Sequence, residues 1–278
     1  MLKIFIILLP LFSFSQTLDS VFLKQPPEIR GYLTLKDYAL QGKVKKITRT
    51  NYAFDEETGK KNSRANIEVK HFNKSGLIVL IENYDYDNNR DKFISKYHYS
   101  LKRLDSVSGY WSSKYEYDEN GRLISILTYR DEIEKDTSSY KTFEYNAKNF
   151  IVFEKKVLDS TSIEYGYNSN NEINIEKFVY DNIKGANQSY EYSYDSICKC
   201  SIILQKYIDG TILSKDLYKT HDNKRVKEFF RVDLETNEEI LEGKRIYKFD
   251  KKKNWIFEEI YSTAKKLIQT NEQIIEYY

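Results

Sequence analysis

One short pattern recurs along this chain and limits what it can fold into. An aromatic residue is followed by Asp or Asn, two polar positions and Gly or Asn, and then by an apolar run. Residues 114–129 read KYEYDENGRLISILTY, and the stretch KHFNKSGLIVLIENY from Lys70 aligns with them without a gap. The frame returns at Phe54, Tyr99, Tyr145, Tyr167, Tyr194 and Phe249, and in degenerate form near His221. With Phe72 and Tyr117 these aromatic residues serve as anchors, placed about 18 to 28 residues apart. That is the period of one hairpin plus its return loop, which predicts a repeat architecture.

The offsets have physical reasons. One position after every anchor but Tyr99 stand Asp55, Asn73, Asp118, Asn146, Asn168, Asp195 and Asp250, whose short side chains bond the backbone two residues on and start a turn. Four positions after come Gly76, Gly121, Asn149 and Asn171, the residue types that tolerate a left-handed backbone at the end of a hairpin loop. The arms alternate with period two. Tyr115 and Tyr117 share one face while Lys114 and Glu116 share the other, and Arg245, Tyr247 and Phe249 fall together. Asp209-Gly210 predicts a further two-residue hairpin. No Pro follows Pro27, as interior strands require. The 25 Tyr and 15 Phe residues suit pleated strands better than long helices. The expected fold class is therefore all-β, an antiparallel meander of repeated β-hairpins forming an extended or rolled sheet. Residues 33–40 are expected to form a short helix ended by Gly42.

The segment Tyr115-x-Tyr117-Asp118-x-x-Gly121-Arg122-Leu123 resembles the YD repeat of Rhs-type proteins, and the looser copies extend the resemblance over about residues 44–262. The resemblance implies a long antiparallel meander rolled into a sheet or shell. Large members encase a C-terminal toxin. This chain has far fewer repeats and no toxin segment after Tyr278, so the sheet carries over and the delivery role does not.

The first residues read as a secretory signal. Lys3 precedes an apolar run from Ile4 to Phe12, and Ser13 and Ser15 stand at the cleavage offsets before Gln16. The expected organisation is a signal peptide over residues 1–15 and a single YD-repeat-like domain over 16–278. The protein is then exported to the periplasm, the outer membrane or the exterior. A tentative disulfide is Cys198 with Cys200, on the turn of one repeat; two free thiols are the alternative.

No catalytic spacing emerges. His71, His98 and His221 lie in strand-like stretches, and the acidic pairs Glu56-Glu57, Glu238-Glu239 and Glu258-Glu259 read as solvated positions in a chain with 31% charged residues. No cofactor or metal site is expected. A net charge of +2 gives no electrostatic ground for nucleic acid as a partner, and no segment predicts a transmembrane helix. The leading expectation is a non-enzymatic binding or interaction module with a glycan or protein partner. Its rivals are a structural protein offering an open sheet edge to a partner strand, a small outer-membrane barrel and a carbohydrate-active enzyme. Where the Tyr rings point discriminates among them.

Overall fold

The structure is a computed structural model. It describes residues 35, 40–55, 57–85, 91–100, 103–130, 137–180, 187–195, 197, 200–221 and 225–278. The expected signal segment, Glu56 and most of the expected helix over 33–40 lie outside the described residues. Leu35 and Leu40 are described. The Leu40 N–H donates to the Leu35 carbonyl at 2.8 Å, and the Leu35 N–H donates to Gly76 O at 3.0 Å.

The chain forms an 18-stranded antiparallel meander. The strands are β1 (Val44–Phe54), β2 (Lys61–Phe72), β3 (Ile78–Asp85), β4 (Asp91–Ser100), β5 (Arg103–Gly109) and β6 (Ser112–Tyr117). They continue with β7 (Leu123–Tyr129), β8 (Thr137–Tyr145), β9 (Ile151–Lys156), β10 (Thr161–Tyr167), β11 (Ile173–Tyr180) and β12 (Gln188–Asp195). The last six are β13 (Cys200–Tyr207), β14 (Ile212–His221), β15 (Val226–Val232), β16 (Glu239–Phe249), β17 (Trp255–Tyr261) and β18 (Leu267–Tyr277). Each strand pairs with its sequence neighbours, for example β6 with β7 and β9 with β10. β18 pairs with β1 from Val44↔Tyr277 to Ala53↔Gln269. The sheet therefore closes into a barrel. The all-β meander expected from the repeat is present, and its rolled form goes to full closure. Closure removes the open edge that a strand-accepting role requires, because the seam pairing uses the outer bonds of β1 and β18.

A meander sends alternate loops to opposite ends. Rim A holds the loops that follow even-numbered strands, together with the start of β1 and the end of β18. Rim B holds the loops that follow odd-numbered strands. Seven anchors (Phe72, Tyr99, Tyr117, Tyr145, Tyr167, Tyr194 and Phe249) come to rim A, and Phe54 falls at rim B.

The rim A turns share one construction. In the 73–77 turn the Asn73 N–H donates to Leu77 O at 2.9 Å and the Gly76 N–H to Asn73 O at 2.9 Å; the same pair of bonds recurs from Asp118, Asn146, Asn168 and Asp250. Asn73 Oδ1 accepts the N–H groups of Ser75 and Leu77, both at 3.0 Å, and Asp118, Asn146, Asn168 and Asp250 cap the same turn-closing amide. The fourth position takes a left-handed backbone, with φ of 80° at Gly76, 78° at Gly121, 63° at Asn149 and 60° at Asn171. Each turn ends in a bulge that pairs the anchor with the residue six positions on: Phe72↔Ile78, Tyr117↔Leu123, Tyr145↔Ile151, Tyr167↔Ile173 and Phe249↔Trp255.

That bulge turns the sixth residue onto the anchor face, where burial is deepest. Ile78, Leu123, Ile151 and Ile173 are all 0% exposed. They belong to two clusters, one spanning Leu123 to Ile173 with Tyr115, Tyr117, Tyr145 and Tyr167 against it, and one joining Leu40, Val44, Ile47, Phe72 and Ile78, against which Ile275 and Tyr277 pack from across the seam. A closed sheet crowds side chains on its concave face, so the anchor face is the inner face. Full burial of one such side chain stabilises by about 1.5–3 kcal/mol. The core is thus an apolar belt at rim A instead of a filled interior.

Candidate functional site

The anchor rings are committed to this belt. Tyr117 Oη donates to Leu104 O at 2.7 Å, Tyr145 Oη to Leu123 O at 2.8 Å and Tyr167 Oη to Ile151 O at 2.6 Å. Each hydroxyl reaches the backbone of the hairpin before it, so a Tyr staples neighbouring repeats together. Burial pushes the Tyr117 phenol up to about 12 and raises that of Tyr145 as well. Arg103 lies over the Tyr117 ring and Arg122 over the Tyr145 ring, at 5.6 and 5.3 Å. The other anchors differ. Tyr99 pairs with Leu104, five residues on, and Tyr194 is 43% exposed opposite Ser201. Phe54 pairs with Lys61, and Asp55 beside it accepts from the Thr58 N–H at 2.6 Å and the Thr58 hydroxyl at 2.7 Å.

Asp195 pairs with Cys200, and Asp195 Oδ1 accepts the Ile197 N–H at 2.7 Å. Cys200 is disulfide-bonded. Cys198, the only other cysteine of the sequence, lies outside the described residues. Asp209-Gly210 departs from the expected two-residue hairpin. Lys206 pairs with Ile212, and the Tyr207 N–H donates to Thr211 O, so this rim B loop repeats the rim A turn with Gly210 at φ 91°. Two rim B turns of this kind were not legible by residue type. Tyr207 and Ser262 hold the Asp/Asn position, and Lys265 holds the Gly/Asn position at φ 59°. Only the six-residue spacing from Tyr261 to Leu267 marks the second one in the sequence.

Beyond the belt the inner face turns polar. Register places Arg49, Glu68, Arg245, Glu258, Asn271 and Gln273 on it around the seam. Glu258 accepts from Asn271 Nδ2 at 2.5 Å and from Arg245 at 3.3 Å, Gln273 Nε2 donates to Trp255 O at 3.0 Å, and Arg49 lies 4.8 Å over the Trp255 ring. Arg49 Nε and Asn51 Oδ1 are buried there without a hydrogen-bond partner. Across β8 to β12, Lys141 pairs with Glu154 at 3.1 Å, Tyr165 Oη donates to Glu154 at 3.0 Å and Tyr192 Oη donates to Glu176 at 2.7 Å. Burial raises the Glu176 carboxyl, and nearby Glu154 adds to the rise. Further round, burial also raises Asp216, with Arg231 at 3.5 Å opposing the shift.

The outer face carries ion pairs over most of its extent, and register also places the apolar cluster of Cys200, Ile202, Leu217, Phe230 and Val232 on it across β13 to β15. Lys46 pairs with Glu276 at 3.0 Å, Glu82 with Lys92 at 2.5 Å, Lys206 with Glu191 at 2.6 Å and Lys244 with Glu228 at 3.4 Å. The histidines belong to this dressing. His71 reaches Glu82 at 3.3 Å, His221 reaches Glu228 at 3.3 Å, and His98 bonds Ser108 at 2.8 Å. Among the described residues no group of His, Cys, Asp and Glu is placed to hold a metal ion, and no helix is long and apolar enough to cross a membrane. A shallow hollow at rim B is lined by Phe54, Asp55, Glu57, Thr58, Gly59, Lys266 and Leu267.

No family model matches the chain, and no curated protein matches it. Among solved structures it is similar to a porin-like protein from Bacteroides uniformis, at 9% identity and a TM-score of 0.44, over 85% of this chain and 99% of that one. It is also similar to a DUF1329 family protein from Desulfovibrio piger, at 6% identity and a TM-score of 0.25, over 84% of this chain and 86% of that one. A third likeness, to TcdB2-TccC3, has 8% identity and a TM-score of 0.29 over 79% of this chain and 16% of that one. At these scores the likenesses carry no argument about function.

Proposed function

We propose that this chain is a short YD-repeat-type array that is exported, folds as a barrel with water on its outside, and works without catalysis as a binding module in the periplasm or at the cell surface. One observation carries the placement: both faces of the closed sheet bear charge at mid-height. A lipid-facing wall needs an unbroken apolar band over about nine to eleven residues per strand. Here β6 and β9 have only 6 residues each, and paired Lys and Glu side chains interrupt the outer face. The binding reading rests on the inner wall. Its Tyr hydroxyls, carboxylates and amides match a hydroxyl-rich ligand such as a glycan, and the unpartnered Arg49 Nε and Asn51 Oδ1 mark where such a ligand's hydrogen bonds would be gained.

A second reading, a small outer-membrane barrel, is favoured by the closed ring of 18 strands, the size at which membrane barrels enclose an aqueous channel. Alkaline carbonate washing of the cell envelope separates the two. Release into the soluble fraction is the expected result; retention until detergent is added, with ion conductance in planar bilayers, would overturn the proposal. A glycan array probed with the exported protein tests the ligand class, and absence of any signal from correctly folded protein would remove the glycan.

A further inference from the structure

The two rims differ in what their loop tips present. At rim A the tips are polar, reading NKSG, DENG, NAKN, NSNN and DKKK, with Ile197 as the exception. At rim B, among the described residues, four tips carry exposed apolar side chains. They are Tyr110 and Trp111 (45% and 47% exposed) between β5 and β6, Leu158 (53%) between β9 and β10, Ile208 (62%) between β13 and β14, and Leu234 (46%) between β15 and β16. Isolated exposed apolar residues are ordinary on any surface. Repetition at the ends of four separate hairpins on one rim is not.

We propose that rim B docks the barrel, end on, onto a lipid bilayer surface. This inference rests on the reading that the barrel wall itself stands in water. Three features favour a bilayer over a protein partner. First, loops that follow odd-numbered strands of one closed barrel all leave its same end, so a planar partner meets them together. Second, the tips stand on separate hairpins, with Asp159 and Ser160 after Leu158, Asp209 after Ile208, and Asp233 and Glu235 on either side of Leu234. A rigid protein partner needs a packed, contiguous centre, whereas fluid lipid accepts separated tips. Third, the residue types suit the headgroup boundary. The Tyr110 and Trp111 rings meet edge to face at 5.6 Å, and Arg130 covers the Tyr110 ring at 5.2 Å while donating to its hydroxyl. Trp and Tyr present an apolar body and a polar handle, which places them at membrane–water interfaces. The charged outer wall begins directly behind the tips, as at Lys206 with Glu191, so insertion is shallow.

Trp111 is its own reporter, because the other tryptophan, Trp255, is only 9% exposed. The exported protein is titrated with unilamellar vesicles of phosphatidylethanolamine and phosphatidylglycerol, following tryptophan emission and co-sedimentation. The expected result is a blue shift and pelleting with the vesicles. Trp111→Phe should remove the shift, and the combined Leu158→Ser, Ile208→Ser variant should bind at least about tenfold more weakly with an unchanged far-ultraviolet spectrum. Ile197→Ser at rim A should bind as the parent does. Every variant shares one N-terminus, so differences report on the rim. Unchanged emission and no pelleting would overturn the proposal. So would a concentration-dependent dimer, without vesicles, that the rim B variants abolish, since that assigns the rim to a second copy. Retention in detergent-only extracts by parent and rim variants alike would instead refute the water-exposed wall.

Discussion

The seam is where closure is most exposed to test, and the Asn254 side chain makes three hydrogen bonds beside it. It is 0% exposed. Its Oδ1 accepts the Gln41 N–H at 2.6 Å, and its Nδ2 donates to Gln41 O at 3.0 Å and to Tyr277 Oη at 2.7 Å. One side chain on the β16–β17 turn thus holds Gln41, three residues before β1, and the last residue of β18. Asn254→Ala removes all three bonds. Leaving a buried polar group unpaired costs about 1–3 kcal/mol. Tyr277 keeps its bond to Asp250, and Gln41 lies at the surface where water can replace part of the loss. The net destabilisation is therefore about 2–4 kcal/mol, less than the sum of three losses. In a domain of this size about 1 kcal/mol moves Tm by roughly 2–4 °C, so the variant should melt roughly 4–16 °C lower. Hydrogen exchange locates the effect. Amides of β1 and β18 should lose protection first, while those of β8 to β11 change little. A Tm within about 2 °C of the parent, with the seam still protected, would refute the assignment of Asn254 as the lock of the closed ring.

Tyr145→Phe should destabilise by about 1 kcal/mol through loss of the bond to Leu123 O, while the exposed Tyr194→Phe should be neutral; equal melting of the two would dismiss the staple. Gly121→Ala should cost about 1–2 kcal/mol for an L-residue at φ 78° and should displace Arg103, whose guanidinium would sit 2.0 Å from the new Cβ. Gly210→Ala, at φ 91° with open space around it, should show the backbone cost alone; chemical denaturation measures the difference. Glu176 is raised by burial from 4.5, so the folded state holds its proton at higher pH than the unfolded chain does. Its contribution is then greatest below the unfolded value and is lost as pH rises through the folded one. Stability of Glu176→Gln minus that of the parent should therefore grow with pH above about 4.5, and a flat difference would disprove it.

The local units were legible in the sequence because their determinants are local. Asn73, Asp118 and Asn146 cap amides two to four residues away, and Gly121 and Asn149 are residue types that admit the left-handed backbone the turn needs. The alternation of Lys114, Tyr115, Glu116 and Tyr117 fixed which residues face inward in any sheet, open or closed. At rim B, Asp209-Gly210 marks a hairpin but not its loop length, and Ser262 with Lys265 carries neither the Asp/Asn nor the Gly/Asn signal, yet the flanking strands impose the same geometry there. Closure was likewise beyond any repeat unit. It depends on the accumulated twist and stagger of all 18 strands, and it is completed by Val44 meeting Tyr277 from the two ends of the described barrel. The sequence by itself determined the hairpin, its turn and its inward ring. Only the tertiary structure decided that seven anchors share one rim, that the hydroxyls of Tyr117, Tyr145 and Tyr167 are spent on the preceding repeat, and that Tyr110 and Trp111 stand exposed at the opposite end. The reason is physical: a turn is written in five adjacent residues, whereas a rim is assembled from loops tens of residues apart whose only common property is the direction in which their strands run.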